Sequence, residues 1–364
     1  VGRENFLMKR LPLALVLSAF FIFLALEVSI RQAVLMLVGV GMGAALAGAR
    51  FGFTTGWRQL IEQRDPQGVT GQVLLLALAS LAALPLLGQF SELQAALGPP
   101  SVSLLVGAFV FGLTMQIADG CGSGSLYKAG LGVPLNMGIL PLFALGSFLG
   151  SVHLDFWLSL GQIAPVSLSQ EFGSSGALGV TLALLAVLML AVRWWVGTGQ
   201  TWVDKRWLWG AVALAVLATL NLLLAGQPWG VVYGLGLWAA KVAVATGSFD
   251  PTVSAFWSQA GNAQRLTQTV FMDVTTVTNI GILGGALWVS ATASSSGKAL
   301  TTQQWAIGLA AGFVMGYSSR LAFGCNIGAM LSGISTGSLH GWLWLPLAFA
   351  GTLIGVRVRR HFQF

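Results

Sequence analysis

From Leu11 to Val356 the chain runs as eleven apolar segments, with almost no intervening stretch long enough to fold in water. They are Leu11 to Ile30, Ala33 to Ala49, Val69 to Leu87, Val102 to Ile117, Val133 to Val152, Ala177 to Val192, Leu208 to Ala225, Trp229 to Ala245, Val270 to Ala291, Trp305 to Tyr317 and His340 to Val356. The plainest of these reach the ~20 residues with which a helix spans hydrocarbon. Charged residues are 8% of the chain and apolar ones 55%, whereas a soluble domain carries roughly 25% charged residues. The expected fold class is an all-α polytopic membrane protein. A net charge of +7 would suit nucleic acid in a soluble protein. Here the basic residues stand at segment ends, where they act as topology signals, so no nucleic-acid partner is expected.

Residues Val1 to Leu7 lack an initiator methionine, and Met8-Lys9-Arg10 reads as a natural start. The apolar run that follows is long for a signal peptide, so a retained first helix is expected. If all eleven segments crossed, Lys9 and Arg10 would lie opposite Arg357, Arg359 and Arg360. Trp229 to Ala245, with Gly230, Gly234, Gly236 and Lys241, is the segment expected not to cross but to be re-entrant or broken. That choice puts Arg3, Lys9, Arg10, Arg50, Arg58, Arg64, Lys128, Arg193, Lys205, Arg206, Lys298, Arg357, Arg359 and Arg360 on one side. Only Arg31, Arg265 and Arg320 fall on the other. The basic side is the cytoplasmic one, so both termini are expected in the cytoplasm of a bacterial inner membrane.

With this topology each half reads crossing, re-entrant segment, two crossings, cysteine re-entrant segment, crossing, and the halves face opposite ways. The expected architecture is therefore a pair of inverted-topology repeats with short broken helices meeting near the midplane. Residues 1–32 form a tail and an additional helix, and 33–152 the first repeat. Residues 153–207 form a connector with one transmembrane helix, and 208–364 the second repeat with a basic tail.

The two cysteines of the chain lie in glycine-flanked breaks, Asp119-Gly120-Cys121-Gly122-Ser123-Gly124 and Phe323-Gly324-Cys325-Asn326-Ile327-Gly328. A shift of 204 positions superposes Phe109 on Phe313, Gly112 on Gly316, Gly120 on Gly324, Cys121 on Cys325 and Gly124 on Gly328. A shift of 69 places Gly43 on Gly112 and Gly52 on Cys121, within Arg50-Phe51-Gly52-Phe53-Thr54-Thr55-Gly56-Trp57-Arg58. Irregular backbone at membrane depth survives only where it is buried or lines a cavity, so such breaks point to a transport site.

A lone cysteine in a helix bundle is usually packing. Two superposed ones between glycines suit a binding role, because a thiol is a soft, polarizable group and bare glycine lets a ligand touch backbone. Ser123, Ser125 and Asn326 are expected N-caps of short helices starting at each break, their free amides forming an anion site without formal positive charge. The expected substrate-binding residues are Cys121, Cys325, Gly120, Gly122, Ser123, Gly124, Gly324, Asn326, Gly328, Gly52 and Thr54. Asp119, Lys241 and Asp273 are ionisable residues in apolar surroundings and are read as a charge relay or structural pair, Lys241 and Asp273 neutralising one another. Gly39, Gly41, Gly43, Gly284 and Gly285 are expected to allow close helix contact. His153, His340 and His361 are scattered, the cysteine spacing is not that of a zinc site, and no catalytic triad is in view. Neither a cofactor nor a metal is expected.

Gly120-Cys121-Gly122-Ser123-Gly124-Ser125-Leu126-Tyr127-Lys128-Ala129-Gly130, Gly324-Cys325-Asn326-Ile327-Gly328, the Arg50 to Arg58 segment and Pro228-Trp229-Gly230 resemble the bacterial YeeE/YedE family of sulfur-transport membrane proteins. The resemblance runs from about Ala33 to Val356. It implies uptake of a sulfur-containing ion, thiosulfate in the best understood branch, through an hourglass whose constriction carries cysteines. Cys121 and Cys325 match two of those positions and would pass the ion along by S–H hydrogen bonds without covalent turnover. The thiosulfate branch has a cysteine where this chain has Gly52, which leaves a related sulfur or selenium species open. The implied protein is a transporter and no enzyme, with the ion and membrane lipids as partners and a cytoplasmic sulfur-carrier protein as an open one. The alternative is a membrane thiol oxidoreductase or sulfurtransferase using Cys121 or Cys325 covalently. That chemistry calls for a thiolate beside cations, whereas the neighbours in sequence are glycine, serine and an aspartate.

Overall fold

A computed structural model of the protein describes residues 2–291 and 299–364, so Lys298 lies outside the described residues. Its first half contains α1 (Gly2–Glu27), α2 (Ile30–Gly48), α3 (Phe53–Gln63), α4 (Gln67–Gln89), α5 (Val102–Ile117), α6 (Gly122–Gly130), α7 (Pro134–Val152) and α8 (Leu154–Ser159). The second contains α9 (Leu168–Val196), α10 (Lys205–Ala225), α11 (Val232–Ala245), α12 (Ala260–Thr267), α13 (Val274–Ser290), α14 (Thr302–Leu321), α15 (Ser332–Ser335) and α16 (Leu339–His361). A π-helical turn, Asn326–Leu331, joins α14 to α15. Nine helical stretches among the described residues are long and apolar enough to cross a membrane, and α11 and α13 are shorter apolar helices. This is an all-α, multi-pass membrane protein.

Helix starts follow local chemistry. Ser29 accepts the amide of Gln32 and Ser101 that of Leu104, and Thr301 with Gln304 forms a reciprocal capping box. Each satisfies an amide that the first helical turn leaves without a partner. Trp229, Gly230 and Val231 stay non-helical before α11, and from Val232 to Ala245 the segment is one continuous helix.

Three parallel seams hold the bundle: α2 with α13, α7 with α14, and α5 with α16. Lipid tails are as apolar as leucine, so helices associate in a bilayer by close fit, and small residues permit it. In the first seam a Cβ on Gly39, Gly43, Gly281 or Gly285 would strike a partner carbonyl, that of Thr278, Ile282, Met36 or Val40 respectively. Gly316 lies likewise on Phe143 O, Gly146 on Phe313 O, Gly112 on Ala348 O and Gly351 on Phe109 O. Two of the expected contact glycines face elsewhere, since Gly41 meets Leu217 and Gly284 meets Leu17.

The helices that lead into the two cysteine breaks run in opposite directions. Ser103, at the start of α5, donates to Leu321 O, at the end of α14, at 2.9 Å. Charged side chains gather into two groups. Arg58, Lys128 and Arg359 meet around Asp119, and Arg360 reaches Glu62 at 3.1 Å. Arg265 and Arg320, both from the shorter charge list, stack on the ring of Tyr233, at 5.0 and 5.3 Å from its centre.

The pairing expected of Lys241 and Asp273 does not form. Lys241 Nζ donates to Leu266 O at 2.7 Å and to Gln268 O, the carbonyls that end α12. Asp273 instead caps α13, its Oδ2 accepting the Thr276 amide at 2.7 Å. Both charges are absorbed by helix termini of the matching sign, cation at a C-terminus and anion at an N-terminus, which is why they have no need of one another.

Two outcomes are expected from this packing. Gly316→Leu should lower the melting temperature by several degrees, because overpacking a close seam costs on the order of 1–3 kcal/mol. Gly179→Ala, at an open position of α9, should leave it unchanged or slightly raised, and equal losses in the two variants would refute the seam. Lys241→Ala and Asp273→Ala should each destabilise, by about 1 kcal/mol for the lost cap. Their double variant should show the sum within roughly 0.5 kcal/mol. Chemical denaturation of the three proteins measures this, and a double variant more stable than the sum would restore the ion pair.

Candidate functional site

Three breaks in the chain share one backbone. Arg50, Asp119 and Phe323 stand in the left-handed region with φ of 50°, 53° and 58°. In each case the next residue's amide closes the preceding helix: Phe51 N to Leu46 O at 2.9 Å, Gly120 N to Met115 O at 3.1 Å, Gly324 N to Ser319 O at 2.9 Å. The carbonyl one residue further on opens the next helix: Gly52 O accepts from Gly56 N at 3.0 Å, Cys121 O from Ser125 N at 2.7 Å, Cys325 O from Ala329 N at 2.8 Å. A helix end of the Schellman type thus passes directly into a new N-terminus, with Gly52, Cys121 or Cys325 as the hinge residue. The chain doubles back so tightly that a Cβ on Gly120 would lie 3.0 Å from Ser125 N, and one on Gly324 2.5 Å from Ala329 N. At Gly324, whose φ is 149°, glycine is a steric requirement, and at Gly120 the space is tight.

This geometry corrects the expected caps. Ser123, Ser125 and Asn326 lie inside the new turns, and Cys121 and Cys325 are the cap residues themselves. Cys121 Sγ accepts the Gly124 amide at 3.4 Å and lies 3.4 Å from Ser123 Oγ. Both thiols are free and buried. The start of α6 touches the π-helical turn, and a Cβ on Gly122 would fall 3.2 Å from Cys325 Sγ. The second thiol therefore rests against bare backbone of the first break, although the two breaks enter from opposite ends. Gly124 lies under Cys121 Sγ in the same way, and Gly328 is open on its side.

Several buried polar atoms around the hinge have no partner among the described residues. They include both amide atoms of Asn326, Ser125 Oγ, Thr54 Oγ1 and Trp229 Nε1. Asn326 is 0% exposed, and a buried amide without partners costs on the order of 1–3 kcal/mol per group. Such atoms are the ones a polar ligand could satisfy. Gly52, in the first break, is close to α6 as well, since a Cβ there would meet Thr55 Oγ1 at 3.0 Å and Tyr127 Oη at 3.4 Å. Lys241, whose ammonium reaches the end of α12, and Asp273, which caps α13, make no contact with the cysteine breaks in the hydrogen bonds described above.

Sequence reading did not find the partners of Asp119, nor Tyr127 and Trp229 as neighbours of the hinge. Arg58, Lys128 and Arg359 reach Asp119 from α3, α6 and α16, separations no local pattern reveals. A cavity of about 250 Å³ also lies elsewhere: it is apolar and sits among α3, α4, α9 and α16, lined by Trp57, Leu76, Val192 and Phe349 among others, without either cysteine. Its lining offers one polar side chain, Gln72, already engaged by Trp57 Nε1 at 2.8 Å, so it does not suit a small anion.

Known proteins resemble the chain, two of them over most of its length. A thiosulfate transporter, TsuA, of Spirochaeta thermophila is 28% identical over 331 residues, covering 85% of this chain and 93% of its own. The thiosulfate transporter TsuA of Escherichia coli is 24% identical over 368 residues, covering 89% and 95% respectively. The probable transporter YedE of Escherichia coli is 29% identical over 173 residues, 44% of this chain and 40% of its own. Residues 48–354, which include all three breaks, match the family described as sulphur transport, and the chain belongs to that family.

Proposed function

We propose that the protein is an uptake transporter for a small sulfur-containing anion, such as thiosulfate or a related sulfur or selenium species, in the bacterial inner membrane. The observation that carries this reading is the meeting of the two cysteine hinges: Cys325 Sγ against the Gly122 backbone, with the partnerless amide of Asn326 beside it. Relatives named as thiosulfate transporters supply the substrate class. Cys121 and Cys325 act as neutral thiols that hydrogen-bond the ion, and Gly120, Gly122, Ser123, Gly124, Gly324, Asn326 and Gly328 shape the constriction. Gly52 and Thr54 stand on the approach from the first break. A thiol suits a large polarizable anion better than a hydroxyl, which holds its own water more tightly.

In this reading residues 33–152 and 208–364 are inverted repeats, 1–32 adds a helix and 153–207 connects them. The equivalence is supported by packing that persists when counterparts are exchanged: α5 lies on α16 as α14 lies on α7, and α4 on α10 as α13 on α2. Both termini face the cytoplasm, on the side of the Asp119 cluster, where a sulfur-carrier protein would receive the product.

Uptake of radiolabelled thiosulfate into cells or proteoliposomes, with competing oxyanions, tests the function. Cys121→Ala and Cys325→Ala should each abolish uptake with yield and melting temperature nearly unchanged, since loss of one sulfur atom costs on the order of 1 kcal/mol. The serine variants should keep at most weak activity. Full uptake by both alanine variants would end the proposal, and so would unfolded variants whose residual protein transports normally. Gly52→Cys gives a further check, because the backbone there has φ −111° and any residue can adopt it. The side chain needs only a small shift of Thr55, so the variant should fold and raise the preference for thiosulfate over competing anions. Unchanged selectivity would separate Gly52 from the pathway.

A further inference from the structure

Asp119 stands at the head of the first cysteine break and draws cations from three elements. Arg58 of α3 approaches Oδ1 at 3.0 Å, Arg359 of α16 approaches the same oxygen at 3.3 Å, and Lys128 of α6 takes Oδ2 at 2.7 Å. The charges do not balance. Counting the neighbouring Arg360–Glu62 pair, four cations face two carboxylates, which leaves two positive charges uncompensated. A structural ion pair would need one cation.

Two of the three cations are also held without the carboxylate. Lys128 Nζ donates to the backbone carbonyl of Asp119, and Arg359 Nη1 donates to Gln116 O at 3.0 Å. Gln116 O lies in the last turn of α5 and Asp119 O just beyond its end, where the helix dipole favours positive charge. Arg58 alone relies on the carboxylate among the contacts described. If the Asp119 side chain turned away, the cationic nest would therefore keep its shape. All four side chains remain 15% to 26% exposed, so a solute can reach them.

We propose that this cluster is a second anion site, an exit latch, in which an oxyanion leaving Cys121 takes the place of the Asp119 carboxylate among Arg58, Lys128 and Arg359. This rests on the transport reading above. The carboxylate presents two oxygens to the three cations, and a tetrahedral oxyanion presents two oxygens at similar spacing, which arginine and lysine bind by charge-assisted hydrogen bonds. Asp119 is then a built-in competitor. Conduction requires sites that bind well enough to receive an ion and weakly enough to release it, and a tethered carboxylate returning to the nest drives release. It is a positioning residue, and the three cations are the binding groups.

Isothermal titration of the purified full-length protein with sulfate, which lacks a terminal sulfur, reads the latch apart from the thiols. Asp119→Asn should bind sulfate on the order of tenfold more tightly than the unaltered protein, as removal of one adjacent like charge implies. Arg58→Gln together with Arg359→Gln in that background should cancel the gain. Thiosulfate uptake by Asp119→Asn should show a lowered kcat together with a lowered KM, the mark of slow release, whereas a merely structural loss would lower yield without tightening binding. The sulfate gain should persist in Cys121→Ala, so failure of the thiol reading and failure of the latch give different results. Should Asp119→Asn not fold, Arg58→Gln alone should weaken sulfate binding several-fold while the two anchored cations stay in place. The proposal is overturned if Asp119→Asn binds sulfate no more tightly, if the gain survives loss of both arginines, or if Arg58→Gln leaves sulfate binding unchanged.

Discussion

Every backbone amide and carbonyl inside a bilayer must find a partner within the protein, and the three chain breaks exist because one hydrogen-bonding scheme meets that demand three times. At each break a left-handed residue lets the old helix close on an amide five residues later, and the hinge carbonyl opens the new helix at once. Few backbone groups are stranded. What remains open is the first turn of the new helix, where orphan amides belong to any helix start. At α6 the cap acceptor is a sulfur, a weaker acceptor than a hydroxyl oxygen, at 3.4 Å from Gly124 N. A thiol in the cap position therefore leaves those amides more available to a ligand than serine would.

The same scheme separates two kinds of electrostatics. At the hinge the polar groups are amides, hydroxyls and thiols without formal charge. The guanidinium and ammonium groups gather instead around Asp119, and around Tyr233, where Arg265 and Arg320 stack. A fixed cation at the constriction would hold an anion too strongly to let it pass, since an unscreened pair in a low-dielectric interior is several times stronger than one near the surface. Under the proposed function, charge at the two mouths raises the local concentration of anion, and soft neutral groups at the centre decide which anion goes through.

Much of this was legible in the amino-acid sequence, for reasons that differ from element to element. Apolar run length located the spanning helices, because the bilayer imposes a length that no tertiary contact can alter. The glycine-flanked cysteines marked the breaks, since the chain doubles back tightly at Gly120 and in a glycine-only conformation at Gly324. Capping was misread because Ser123, Ser125 and Asn326 have the stronger capping preference. The register, however, is set two residues upstream of each cysteine, at Asp119 and Phe323. Lys241 and Asp273 were paired on charge and depth alone. The short helix α12, whose C-terminus takes the lysine, leaves little trace in hydropathy. The Asp119 cluster was beyond sequence reading altogether, as Arg359 lies 240 positions from it and is recruited only through the seam of α16 on α5.

Gly52 shows how a shared backbone can be separated from the chemistry it presents. Its break has the hydrogen bonds of the other two, and its φ of −111° would admit any side chain. Backbone strain therefore does not explain the glycine. What occupies the space is Thr55 Oγ1 and, a little further, the Tyr127 hydroxyl, two hard oxygen groups where a thiol in this position would offer a soft one. The third break thus keeps the architecture of a cysteine hinge and replaces its sulfur by hydroxyls. In a transporter that selects among sulfur anions, such an exchange favours ions richer in oxygen at that step, because hydroxyls hydrogen-bond small hard oxygens better than a large polarizable sulfur. Under the proposed function, variation at this one hinge would shift the substrate while the bundle that holds it stays the same.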